Sequence, residues 1–184
     1  MKNKNLLILL ITITNLIALF LIITKKLETS ITKYILLTIP LFIPTILKKL
    51  KISINNTIEK MYLILIFLSG TIGRIYRLYY ITNWFDTIVH GISGILLFTF
   101  TQIILKKYKI NKNILINILF GITITLGLSA LWELTEYNID QIFKTNMQNI
   151  ETGINDTMKD ISIAGTTCII TSLIYLKKQL KMNE

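Results

Sequence analysis

Long apolar runs alternate with short charged segments along this chain. Residues 5–24 carry no charge over 20 positions, and residues 113–132 do the same. At about 1.5 Å per helical residue, each run spans about 30 Å, the thickness of a bilayer's hydrocarbon core. Residues 87–105 are uncharged apart from His90, and residues 161–176 carry no charge. Residues 61–80 are interrupted only by Arg74 and Arg77. Residues 34–47 are shorter and contain Pro40 and Pro44; this segment reaches spanning length if it starts near Ser30 and Lys33 snorkels. Such a kinked helix is tolerated in lipid because neighbouring groups bond the carbonyls that proline frees. The pattern predicts an all-α integral membrane bundle of six transmembrane helices in one domain, 1–184. Helices one and two (1–50) are expected at its side, with helices three to six (58–177) as the polar-site bundle. Lys2 and Lys4 precede the first run as in a signal peptide. The run is long, however, and is followed by Lys25-Lys26 rather than by small residues, so an uncleaved helix is expected.

Composition narrows the class. Hydrophobic residues make up 52% of the chain and charged residues 16%, against about 25% charged in ordinary soluble domains. Disorder is excluded at this apolar content. With 8 Gly, 2 Pro and 1 Cys, so are collagen-like and disulfide-rich folds. The net charge of +10 reads as topology, not nucleic-acid binding. With both termini cytoplasmic, 13 of the 20 basic residues fall on the inner side, with only Glu59 and Glu184 among the acids. That is the positive-inside pattern. It points to a multipass membrane protein, with anionic lipid at the inner surface as partner of the lysine clusters.

Six of the ten acids crowd into the last third of the chain: Glu133, Glu136, Asp140, Glu151, Asp156 and Asp160. Helical spacing gives their placement meaning. On helix four, Asp86 and His90 stand one turn apart, followed by Ser93 and Gly94. On helix five the stripe runs Gly121, Thr125, Ser129, Glu133, Glu136. On helix six it runs Asp156, Asp160, Ala164, Thr167. Helix three adds Gly70, Gly73, Arg74 and Arg77. Small residues allow helices to approach closely in lipid. Ionisable side chains within a membrane turn toward a bundle interior and pair there. Arg74, Arg77, Asp86, His90, Glu133, Glu136, Asp156 and Asp160 are therefore expected to share a pocket near the outer leaflet.

Three segments of this set carry a family resemblance. Phe85-Asp86-Thr-Ile-Val-His90-Gly91 resembles the aromatic-Asp-x-x-x-His motif of the YjdF-like bacterial membrane proteins, whose function is uncharacterised. Trp132-Glu133-Leu-Thr-Glu136-Tyr137 is similar to that family's Glu-x-x-Glu segment. Asp156-Thr157-Met-Lys-Asp160 resembles its Asp-Thr-x-x-Asp segment. The resemblance covers residues 60–176 and implies the same multipass fold and the same polar residues. A more distant likeness is to VanZ-like proteins, associated with glycopeptide resistance and the cell envelope. Their late Asp precedes Asn and Gly, whereas Ala164-Gly165 follow Asp160 here.

The residue types suit hard-ion chemistry. Asp86, His90, Glu133, Glu136 and Asp160 offer carboxylate oxygens and one imidazole, a set suited to Mg²⁺, Mn²⁺ or Zn²⁺. Arg74 and Arg77 have the planar donors that grip phosphate. The leading expectation is a protein that recognises a lipid headgroup or cell-envelope molecule. A metal-dependent enzyme acting on a phosphorylated lipid or envelope substrate is the first alternative, with His90, Glu133 or Glu136 as the catalytic acid or base. A small proton- or ion-coupled transporter is the second.

Overall fold

The computed structural model describes residues 2–51, 55–82, 84–110, 113–144, 147–148 and 153–181, and every regular element among them is helical. In chain order these are α1 (Lys2–Ile23), α2 (Ile31–Thr38), a 3₁₀ turn (Ile39–Phe42), α3 (Ile43–Lys49), α4 (Asn56–Ile66), a π-helical stretch (Phe67–Ile75), α5 (Leu78–Ile81), α6 (Phe85–Tyr108), α7 (Ile114–Phe143) and α8 (Ile154–Lys181). Among the described residues, five stretches are long and apolar enough to cross a membrane: Lys4–Ile23, Ile31–Lys49, Phe85–Tyr108, Ile114–Phe143 and Ile154–Lys181. The expected count was six. The segment expected as the third crossing is divided between α4 and the π-helical stretch, and neither part alone has that length. Lys112, Glu151 and Glu184 lie outside the described residues.

Contacts divide the chain between Val89 and His90, one turn into α6. In the first unit, α1 and α4 with its π extension run parallel to each other, and the kinked limb α2 to α3 runs antiparallel to both. The ends are fastened by polar groups distant in sequence. At one end Glu59 accepts from Lys4 Nζ at 2.5 Å and from Lys48 Nζ at 2.6 Å. At the other, Thr29 Oγ1 donates to the Ile75 carbonyl at 3.0 Å, and Arg77 pairs with Glu28. Midway, Asn15 accepts from Thr71 Oγ1 at 3.2 Å, while the Tyr34 hydroxyl donates to the Asn15 carbonyl at 3.1 Å.

Local sequence explains the irregular geometry. Ser30 caps α2 by accepting from the Lys33 N–H, so the kinked limb begins at the residue the pattern required. Pro44 has no N–H to give the Pro40 carbonyl four residues earlier. The Tyr62 hydroxyl bonds that carbonyl instead, at 2.9 Å, sharing it with the Ile43 N–H. The π-helical stretch holds Gly70 and Gly73 and ends with Tyr76 N–H bonding the Thr71 carbonyl. Arg77 then takes the left-handed conformation at φ 65°, which stops the helix.

The second unit consists of α6 beyond its first turn, α7 and α8. Its helices are inverted relative to those of a water-soluble bundle. The buried positions of α7 are Ile118, Gly121, Thr125, Ser129, Glu133 and Glu136. Those of α8 are Asp160, Ala164, Gly165, Cys168 and Ser172. Large apolar residues such as Leu119, Leu131, Ile170 and Leu173 point outward. Polar inside and apolar outside is the arrangement lipid selects, because packing and polar contacts, not water exclusion, hold the helices together. Small residues set the spacing. A Cβ on Gly94 would stand 2.2 Å from the Ala164 carbonyl oxygen, and one on Gly121 would stand 2.5 Å from the Gln102 amide. Below these crossings Phe98, Ile118 and Cys168 form the apolar core, with Tyr175 edge-on to Phe98 at 6.0 Å. Gln102 Nε2 donates to the Asn117 carbonyl at 2.8 Å, tying α6 to the start of α7.

Candidate functional site

The site is built from the three long helices of the second unit. On α7 the spacing of three and four residues that buries Gly121, Thr125 and Ser129 carries on to Glu133 and Glu136. Both carboxylates are therefore buried by the helix face they occupy. On α8, Asp160 lies one turn before Ala164, the residue whose carbonyl meets Gly94. On α6, His90 lies one turn before Gly94. The close α6–α8 crossing at Gly94 thus brings His90 and Asp160 together.

His90 stands between two carboxylates. Its Nε2 is 3.7 Å from Glu133 Oε1 and 3.9 Å from Asp160 Oδ2. All three residues are buried, with exposures of 7%, 4% and 3%. Asp86 sits one turn before His90 on the same continuous helix. Ser93 Oγ donates to the His90 carbonyl at 2.7 Å, so the backbone carrying the imidazole is itself bonded. Ser129 Oγ, one turn below Glu133 on the same buried face, has no hydrogen-bond partner among the described residues. Chemically, the arrangement can hold a cation or a proton among oxygen and nitrogen donors.

Glu136 is buried on α7 three residues beyond Glu133, and Asp156 is half-buried at the start of α8, one turn before Asp160. Arg74 and Arg77 belong to the first unit. Arg74 lies over the Tyr79 ring at 5.5 Å, and Arg77 pairs with Glu28 while lying over the Tyr80 ring.

Two contributors escaped sequence reasoning. Asp140 accepts backbone N–H bonds from Met147 at 2.8 Å and Gln148 at 2.9 Å, folding the chain back over the end of α7. Gln148 Nε2 then donates at 3.1 Å both to the Glu133 carbonyl and to Thr157 Oγ1. Gln148 is thereby fixed to both helices beside the site. Nothing in a polar loop sequence marks Gln148 for this task. The excess of acids near the end of α7 is the one sequence signal that hints at the role of Asp140.

Comparison with known proteins adds one family. A family model described as "Predicted membrane protein (DUF2238)" matches residues 5–181. No match is found among curated proteins or solved structures.

Proposed function

Because the chain belongs to the DUF2238 family of predicted membrane proteins, we propose that its function lies in the bilayer: the α6–α8 helices hold a divalent cation on His90, Glu133 and Asp160, and present it to an anionic lipid headgroup or cell-envelope molecule. The observation that carries this reading is the imidazole of His90, 3.7 and 3.9 Å from carboxylates on two other helices. A nitrogen and an oxygen bound to one tetrahedral ion at about 2.1 Å stand about 3.4 Å apart. The observed separations would need to close by only a few tenths of an ångström. Charge balance favours an ion over a bare anion site. Two carboxylates beside one imidazole remain net negative even when the ring is protonated, and a phosphate would be repelled. A divalent ion reverses that sign and supplies a hard acceptor for phosphate or carboxylate oxygens. Glu136, one turn beyond the proposed ligands, is the nearby carboxylate left to act as a base if the bound molecule is also transformed.

The proposed topology has six crossings of a bacterial plasma membrane, counting α4 with its π extension as the third, with both termini cytoplasmic and the site toward the outer face. Its support is the lysine asymmetry of the sequence and the antiparallel order of the first unit.

Metal analysis of the detergent-purified protein tests the function, comparing wild type with His90→Ala and Asp160→Asn after dialysis against Mg²⁺, Mn²⁺ or Zn²⁺. A stoichiometric ion in wild type, lost in both variants, is expected. Wild type that retains none of the three ions would remove the reading. Orientation is tested by a cysteine introduced at Met147: it should react with an impermeant maleimide in intact cells, and labelling only after permeabilisation would invert the topology.

A further inference from the structure

The first unit contains a cleft that the proposed cation site does not use. It has a volume of about 410 Å³ and lies between α1 and the proline-kinked limb, with α4 as its floor. The floor is Glu59 and Leu63, one turn apart, and the walls include Ile11 and Asn15 of α1 and Thr38 and Pro44 of the kinked limb. Ile8, Leu16 and Phe42, also in its lining, are exposed apolar residues. The cleft is thus open along a hydrocarbon rim. From Ile8 to Leu16 it follows α1 for about 12 Å.

Charge is confined to one end. Glu59 is buried there and bonded by both Lys4 and Lys48. Two ammonium groups share one carboxylate, so one positive charge is left uncompensated. Lys48 remains 44% exposed at its side chain. Lys49 and Lys51 follow it directly, and Lys60 adjoins Glu59. Five lysines therefore lie at this end of the unit, two of them bonded to Glu59. The only other acid before Asp86 in the sequence, Glu28, is fastened to Arg77 at the opposite end.

A long apolar trough with a cationic end is the inverse of an anionic phospholipid. We propose that this cleft binds one such lipid, its acyl chain lying along α1 and its phosphate held at Lys48 beside the Lys4–Glu59 pair. A zwitterionic lipid could fill the trough equally well but would gain less from the surplus charge. Each lysine near an anionic headgroup favours it by about fivefold.

Native mass spectrometry of the full-length protein in detergent, titrated with dioleoylphosphatidylglycerol or dioleoylphosphatidylcholine, tests this. Wild type should retain one phosphatidylglycerol in preference to phosphatidylcholine. Lys48→Gln should lower phosphatidylglycerol occupancy about fivefold, and Lys48→Arg should restore it. Thr45→Trp, which fills the cleft, should displace both lipids. Thr12→Leu, a smaller change in the same wall, should weaken both and serves if the tryptophan variant does not fold. Equal retention of the two lipids by wild type, or occupancy indifferent to both cleft-filling variants, would overturn the proposal.

Discussion

Gly94 gives the sharpest test of how the second unit is held together. A methyl group added there would sit 2.2 Å from the Ala164 carbonyl oxygen and 2.3 Å from Thr167 Oγ1. The first of these is backbone, so rotating a side chain cannot relieve it. Restoring ordinary contact requires α6 and α8 to separate by more than an ångström. Overpacking of this kind costs about 1–3 kcal/mol. At about 2–4 °C per kcal/mol for a chain of this size, Gly94→Ala should lower the thermal midpoint by about 2–12 °C. Gly127 is the control. It lies on α7, where an added methyl would meet nothing within 4 Å, so Gly127→Ala should only gain helix propensity, about 0.5–1 kcal/mol of stabilisation. Gly91→Ala, whose nearest contacts are 3.5 and 3.7 Å, should be tolerated. The assay is a melt of detergent-solubilised protein followed by far-ultraviolet circular dichroism. A Gly94→Ala protein as stable as wild type would refute the close crossing, and with it the mechanism that brings Asp160 to His90.

Other consequences can be checked separately. Burial pushes the Glu59 carboxyl upward, but hydrogen bonds and charge from Lys4 and Lys48 outweigh it, so its pKa lies below the ordinary value. A depressed carboxyl stabilises the fold above its unfolded pKa, about 4.3, and that contribution is lost as pH falls through the lower folded value. The gap in thermal midpoint between wild type and Glu59→Gln should be wide at pH 7 and should shrink below about pH 4; a pH-independent gap would contradict the pairing. Asp140→Ala should free the backbone N–H groups of Met147 and Gln148 and speed proteolysis between Phe143 and Ile154, whereas unchanged cleavage would show the loop is held by other means. Asn15 and Thr71, bonded at 3.2 Å, should show a coupling of about 0.6 kcal/mol in a double-mutant cycle of Asn15→Ala and Thr71→Val, the usual size for such bonds between membrane helices. Additive losses would mean that the bond contributes nothing.

The parts of the fold that were legible in the sequence are those governed by local pattern. The charge-free runs correspond to α1 and α7, Ser30 begins the kinked limb, and the small-and-polar stripe from Gly121 to Glu136 is the buried face of α7. Each follows from helical periodicity, which a sequence displays directly. The π-helical stretch was not legible, because wide winding depends on tertiary contact: Gly70 packs beneath the Leu37 carbonyl of another limb. Distant pairings were equally hidden. The Lys4–Glu59 bond joins residues 55 apart, and the Arg77–Glu28 pair joins residues 49 apart. Arg77 was expected among the acids of the last third of the chain, since charge alone does not say which of several opposite charges is near. His90, Glu133 and Asp160 could be singled out because each occupies a helix face lined by small residues. The distances between them required the crossing at Gly94.

The wide winding from Phe67 to Ile75 has a consequence for how this chain tolerates changes in length. A π turn holds more residues than an α turn, so a single-residue deletion within that stretch can be absorbed by rewinding to the tighter form, leaving the flanking segments in phase. Removing one residue from α7 between Thr125 and Ser129 offers no such slack. Everything beyond would swing by about 100° around the axis, and Glu133 and Glu136 would turn from the protein interior toward the acyl chains. Thermal melts of the two deletion proteins should therefore diverge, with the first folded and the second not, making the π stretch the one place among the described helical limbs where the chain carries spare length.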